Sequence, residues 1–156
     1  MYYVIASLPI ALYSGALVLG LLGVELPFAS TELRPLAQWM LFLSLALQSL
    51  WAAYGHIFVT ERVAQSIGWP ASPFQHEIGS ANLGIGLGAI AAAILGPTAA
   101  WAIFFVAACF LWGAAAVHVN DMFRTMFRTK NFAINNAGPI FWWDILTPLT
   151  LLIALL

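Results

Sequence analysis

Charge is what this chain has least of. Of its 156 residues only 7% are charged, six acids and five bases, for a net charge of −1. A soluble globular domain carries about 25% charged residues. The chain cannot cover a water-facing surface, which excludes a soluble enzyme. It has no basic patch, which excludes nucleic-acid binding, and at 63% hydrophobic residues it is far from the composition of a disordered segment. Cysteine is nearly absent. Cys109 stands alone in an apolar run, so no internal disulfide forms. A glycine-rich phosphate loop is missing, because Gly84-x-Gly86-x-Gly88 lies inside an apolar run and reads as helix packing. No Ser/His/Asp motif supports hydrolysis; Ser72 and Ser80 read as cap and packing residues. The start lacks the basic region and the small-residue cleavage site of a signal peptide, so the first apolar run is expected to be retained.

What is present is apolar length. Mean hydropathy is +0.94. A spanning helix needs roughly 20 apolar residues, and five segments qualify: about Tyr2–Gly23, Pro35–Arg62, Pro73–Leu95, Thr98–Phe123 and Gly138–Leu156. Continuous runs, without the period-two alternation of a barrel, predict helices. The expected fold is all-α: one polytopic membrane domain over residues 1–156 with five transmembrane helices, the last four forming a bundle. Pro27 and Pro35 bracket the first loop, where Ser30-Thr31-Glu32 can cap or precede the second helix. Ser72 is the expected N-cap of the third, with Pro73 at its first position. Gly96-Pro97-Thr98 predicts a tight turn, and Asn131 to Gly138 a polar one. Arg62, Arg124, Arg128 and Lys130 fall on one side and Arg34 on the other. The excess places the N-terminus in the cytoplasm and the C-terminus outside, in a multi-pass cell-membrane protein. Trp69 and Trp142-Trp143 suit the interfacial belt.

The ionisable residues gather at one end. His56 and Glu61 close the second segment, His76 and Glu77 open the third, His118 and Asp121 precede Arg124, and Asp144 follows Gly138. Only Glu25 and Glu32 lie at the other end. His118 and Asp121 are about 60° apart on a helix, on a face continued by Ala107, Leu111, Ala114 and Ala115. His56 is backed by Gln48, Ser49, Ala52 and Ala53. Ser80, Gly84, Gly88, Ala92 and Gly96 form a small-residue ridge, expected to face protein and to bring Glu77 with it, with Gln75 and Asn82 adding hydrogen bonds nearby. Phe104, Phe105 and Phe110 are left for lipid. Glu61 is about 140° from His56 and reads as an interfacial partner of Arg62, His76 as a headgroup-level residue. A loose echo relates Leu50-Trp51-Ala52-Ala53…His56 to Leu111-Trp112-Gly113-Ala114…His118.

Ionisable groups in a membrane are costly and usually functional. His56, Glu77, His118, Asp121 and Asp144, with Glu61 as a possible sixth, are the candidate ligands of a transition metal, zinc or iron. His118-x-x-Asp121 resembles in reverse the Glu-x-x-His pairs of di-iron bundles. Convergence of both histidines and Glu77 within about 5 Å of one point is the structural test. Such a site would support redox or hydrolytic chemistry on a lipid-soluble substrate. Alternatives are a structural polar network, a proton or transport pathway, a haem between His56 and His118, and an accessory subunit of a larger membrane complex. Lipid is the expected surrounding partner, with homo-oligomers open.

The stretch Ser72-Pro73-Phe74-Gln75-His76-Glu77-Ile78-Gly79-Ser80-Ala81-Asn82 resembles an uncharacterised family of small multi-span membrane proteins from bacteria and archaea, a domain of unknown function. The resemblance takes in Gly55-His56, Ala116-Val117-His118 with Asp121, Asn131-Phe132, Asn136-Ala137-Gly138 and Asp144, over about residues 50 to 150. It implies a helical membrane protein and supplies no activity, substrate or cofactor.

Overall fold

The computed structural model describes residues 2–129 and 140–156, and these are helical with short connections. The polar turn expected over Asn131 to Gly138, and Lys130, lie outside the described residues. Among those described, six helices follow in order: α1 (Tyr2–Leu21), α2 (Pro35–Phe58), the short α3 (Thr60–Ser66), α4 (Phe74–Leu95), α5 (Pro97–Thr129) and α6, made of Ile140–Leu146 and Thr147–Leu155. Three stretches, Pro35–Phe58, Phe74–Leu95 and Pro97–Arg128, are long and apolar enough to cross a membrane; Ser7–Leu21 and Phe141–Leu155 are shorter apolar helices. The composition and these helices are compatible with a membrane protein.

The boundaries have local causes. The expected second segment ran to Arg62, but the helix breaks at Val59 (φ −129°, ψ 34°). The Thr60 hydroxyl donates to the His56 carbonyl at 2.8 Å, supplying a bond where the helix stops, and α3 starts anew. The fourth segment was expected to end at Phe123 and runs on to Thr129, since neither Gly nor Pro interrupts Arg124–Thr129. At α4 the N-cap is Pro73 rather than Ser72, with no side-chain cap; the Ser72 carbonyl instead accepts from Gln75 N–H at 3.1 Å. Nor does a side chain cap α2, whose N-cap is Arg34. The α4–α5 turn is as tight as expected, with Gly96 at φ +93°, which an L side chain rarely adopts.

Two π-helical stretches were not foreseen: Met40–Leu47 inside α2 and Ile140–Leu146 at the start of α6. The first meets α6 just past the second, through the Ser44 and Thr147 hydroxyls, 2.7 Å apart. Thr147 also donates to the Trp142 carbonyl at 3.0 Å. Pro148 then brings no N–H to the helix, and the wider turn before it accommodates that loss.

Helix α4 packs against α2 on one side and α5 on the other, α5 against α6, and α1 against α2 and α6. The core is Met40, Leu41, Leu45, Leu111 and Leu151 with a bed of alanines from α2, α4 and α5. Approach of α4 to α2 depends on Gly79 and Gly86: a Cβ at Gly79 would sit 2.6 Å from Ile57 Cγ1, and one at Gly86 2.9 Å from Leu50 Cγ. The expected Ser80-to-Gly96 ridge is therefore corrected. Ser80 and Gly84 are exposed, Gly88 is half-buried, and only Ala92 and Gly96 are buried. A strict four-residue interval advances about 40° per step relative to the helix repeat, so the ridge winds from the outer face to the inner one. Phe104, expected to face lipid, is buried in the core, while Phe105 is exposed.

Candidate functional site

Helices α2, α4, α5 and α6 do not close completely. Between them lies a cavity of about 750 Å³, within the size range of small-molecule sites. Gln48, Trp51 and His56 line it from α2, Gln75 and Asn82 from α4, and Cys109, Phe110 and His118 from α5. Trp143 and Asp144 complete the wall from α6. The strap formed by α3 and the turn after it contributes Arg62 and Trp69.

Each wall residue is placed by the spacing of its helix. His56 stands one turn past Ala52 and Ala53 on the face bearing buried Gln48 and Ser49, as expected. His118 continues the buried face of Ala107, Leu111 and Ala115. Gln75, Gly79, Asn82, Gly86 and Ala89 form the inner face of α4. His56 Nδ1 donates to Gln75 Oε1, tying α2 to α4 at the rim of the cavity. Trp69 stacks on His118, rings 4.8 Å apart and 11° from parallel, and its indole N–H donates to Asp121 Oδ2 at 3.0 Å. Trp69 thus fastens the strap to α5. His118 is within electrostatic reach of both Asp121 and His56.

Several wall atoms have no partner. Asn82 is 1% exposed, and its Nδ2 donates to the Ile78 carbonyl at 3.0 Å, yet its Oδ1 accepts nothing. His118 Nδ1 and Trp143 Nε1 are likewise buried and unpaired. Asp144 is 6% exposed. Buried polar groups are nearly always hydrogen-bonded, so three orphan atoms on residues that line one cavity set this region apart.

Of the six expected metal ligands, His56, His118 and Asp144 line the cavity. Asp121 lies beside it, occupied by Trp69. Glu77 and Glu61 are exposed, which corrects the expected convergence. Glu77 is on the outer face of α4 with Ser80 and Gly84, and Glu61 follows the break at Val59, which turns α3 out of line with α2. Among the described residues no three His, Cys, Asp or Glu side chains gather to hold a metal ion. The sequence reading overlooked the roles of Trp69, Trp143 and Gln48. Gln75 and Asn82, expected as neighbours of Glu77, instead bond His56 and line the cavity respectively. Their seven-residue spacing, with Gly79 between them and Gly86 after, was the signal of a shared inner face.

No curated protein and no solved structure matches the chain. The profile of a family of unknown function (DUF6790) matches residues 3–156, almost the whole length, and the chain belongs to that family.

Proposed function

We propose that this chain is a multi-pass membrane protein that binds a lipid-soluble small molecule in the cavity between α2, α4, α5 and α6. The carrying observation is the pairing of a largely apolar and aromatic wall with buried, unpartnered polar atoms on three of its helices. An apolar enclosure with a few convergent polar groups is the usual form of a ligand site. Leaving a buried donor or acceptor unpaired costs about 1–3 kcal/mol, a cost that a polar head group or ordered water would remove. In this reading α1 and α6 span as well, giving five crossings. The N-terminus, the α3 strap and the cavity lie at the cytoplasmic face, following Arg62, Arg124, Arg128 and Lys130. His56, His118 and Asp144 then stand where bound substrate would meet them, as proton donors or acceptors or as ligands of a metal carried with the substrate.

The chain supplies its own probe, because its single cysteine, Cys109, is exposed and lines the cavity. Protein purified in mild detergent should carry a lipid-soluble molecule near stoichiometric amounts, detected by solvent extraction and mass spectrometry. Removing it should raise the rate of Cys109 alkylation by a small maleimide, and adding the extract back should lower it. An empty extract together with an alkylation rate indifferent to lipid would sink the reading. Elemental analysis of the same sample reads the metal alternative. Cysteines introduced at Ser30 and Arg128 read the orientation, and labelling of Ser30→Cys from the cytoplasmic side would reverse it.

A further inference from the structure

We infer that the occupant of this cavity carries a flat ring with oxygens on two of its edges, a quinone or the corresponding quinol, on an apolar tail. The inference rests on the proposed binding of a lipid-soluble molecule and names its head group.

The first ground is the distribution of the unpartnered atoms. Asn82 Oδ1 belongs to α4, His118 Nδ1 to α5 and Trp143 Nε1 to α6, on residues that line three separate walls of one cavity. A single hydroxyl donates once from one point. A ring with oxygens on opposite edges presents two separated points and can address different helices. The chemistry of the three atoms divides by oxidation state. The indole N–H of Trp143 only donates, which suits a quinone carbonyl. Asn82 Oδ1 only accepts, which suits a quinol hydroxyl. His118 Nδ1 donates or accepts according to its tautomer and serves either form.

The second ground is shape. The parallel stack of His118 and Trp69 presents ring surface, and Trp51, Phe110 and Trp143 line the same space. Aromatic walls of this kind favour offset or edge contact with another flat ring. The third ground is charge. Arg62 of the strap lines the same cavity, but an ionised carboxylate or phosphate head has no hydrogen to donate to Asn82 Oδ1. A lipophilic ammonium would suit Asp144 and the aromatic rings, but it has no acceptor for the Trp143 indole N–H.

The test uses the full-length protein in phosphatidylcholine nanodiscs and three probes: a short-tail benzoquinone with its quinol, farnesol, and dodecyltrimethylammonium. Binding is read by saturable protection of Cys109 from alkylation and by quenching of tryptophan fluorescence. The quinone and the quinol should both protect saturably. Trp143→Phe, which keeps a ring and removes the donor, should weaken the quinone about tenfold and the quinol less. Asn82→Leu, which removes the acceptor at similar size, should weaken the quinol about tenfold and the quinone less. Should Asn82→Leu fail to fold, the Trp143→Phe contrast between the two forms stands alone as the test. Protection by farnesol or by the ammonium, with none by either ring form, would overturn the head-group inference while leaving the cavity reading intact. Equal loss of both forms in Trp143→Phe would overturn the assignment of the indole to the carbonyl. Failure of every probe, with no co-purifying lipid, would instead remove the cavity reading itself.

Discussion

At the end of the helices that carries residues 22–34, the Gln38 amide is fully used. Its Oε1 accepts from Leu26 N–H at 2.8 Å, and its Nε2 donates to the Leu33 and Ser30 carbonyls at 3.0 and 3.1 Å. The Trp39 indole donates to the Val24 carbonyl at 2.7 Å, and Ser30 N–H reaches the Ala93 carbonyl at 2.8 Å. At the other end, Asn82 is as deeply buried as Gln38 and belongs to the same chemical class, yet its amide oxygen accepts nothing. The loop end is a clamp in which buried polar groups close on each other. The cavity end leaves buried polar atoms unpaired on residues that line the cavity. Under the proposed function, a bound molecule supplies the partner that Asn82 Oδ1 lacks. Stability and binding are therefore expected to reside at opposite ends of the molecule.

The strongest way to break this contrast is Gln38→Leu. It strands the Leu26 N–H and the Leu33 carbonyl, while the Ser30 carbonyl keeps the Leu33 N–H, and at about 1–3 kcal/mol for a buried unpaired group the loss should be about 3 kcal/mol, read as a fall in Tm with little change in ligand affinity of the surviving folded protein. Next is Gly20→Ala, also near the clamp. Its Cβ would lie 2.6 Å from Leu36 Cα, a backbone atom that cannot rotate away, so α1 and α2 must separate. Overpacking costs typically about 1–3 kcal/mol. The matched control Gly84→Ala meets nothing within 4 Å and should leave Tm level or raise it, since alanine is the better helix former. An equal loss in both would remove the packing argument. Trp69→Phe keeps a ring on His118 and deletes the hydrogen bond to Asp121, worth about 1 kcal/mol. It should speed Cys109 alkylation by loosening the strap, while Tm falls by only a few degrees. Ser44→Ala removes one interhelical hydroxyl pair and should cost about 0.6 kcal/mol, the membrane average, in a denaturant or thermal unfolding series. The smallest effect on stability belongs to Asn82→Leu. With its acceptor already unpaired, replacing the amide by an apolar group of similar size should leave Tm level or higher. A fall comparable with Gln38→Leu would show that the two amides are not different after all.

Much of the architecture was legible from apolar run length. The cores of α2, α4 and α5 and the Gly96-Pro97 turn lie where hydropathy and turn chemistry put them, because long apolar helices and positive-φ glycines are dictated locally. The inward faces of His56 and His118 were legible too, since each sits at helical spacing from small residues that pack. The inner face of α4 was not. Ser80, Gly84 and Gly88 look like a packing ridge by composition, but Gly79 and Gly86 meet α2, and that choice turns Glu77 outward. Small residues mark where helices can approach; which of two small-residue faces is used depends on the partner.

The sequence by itself determined a helical, membrane-compatible chain with its histidines and four acids confined to one end, since low charge and apolar length leave no other packing of this backbone. Only the tertiary structure decided which of those groups share a space. Trp69 reaches Asp121 across 52 positions of sequence, and α3 turns away after Val59, taking Glu61 with it. Asn82, His118 and Trp143 become neighbours of one cavity because α2, α4, α5 and α6 leave a gap there. A gap is a property of how four surfaces fail to fill each other, and no single helix carries that information.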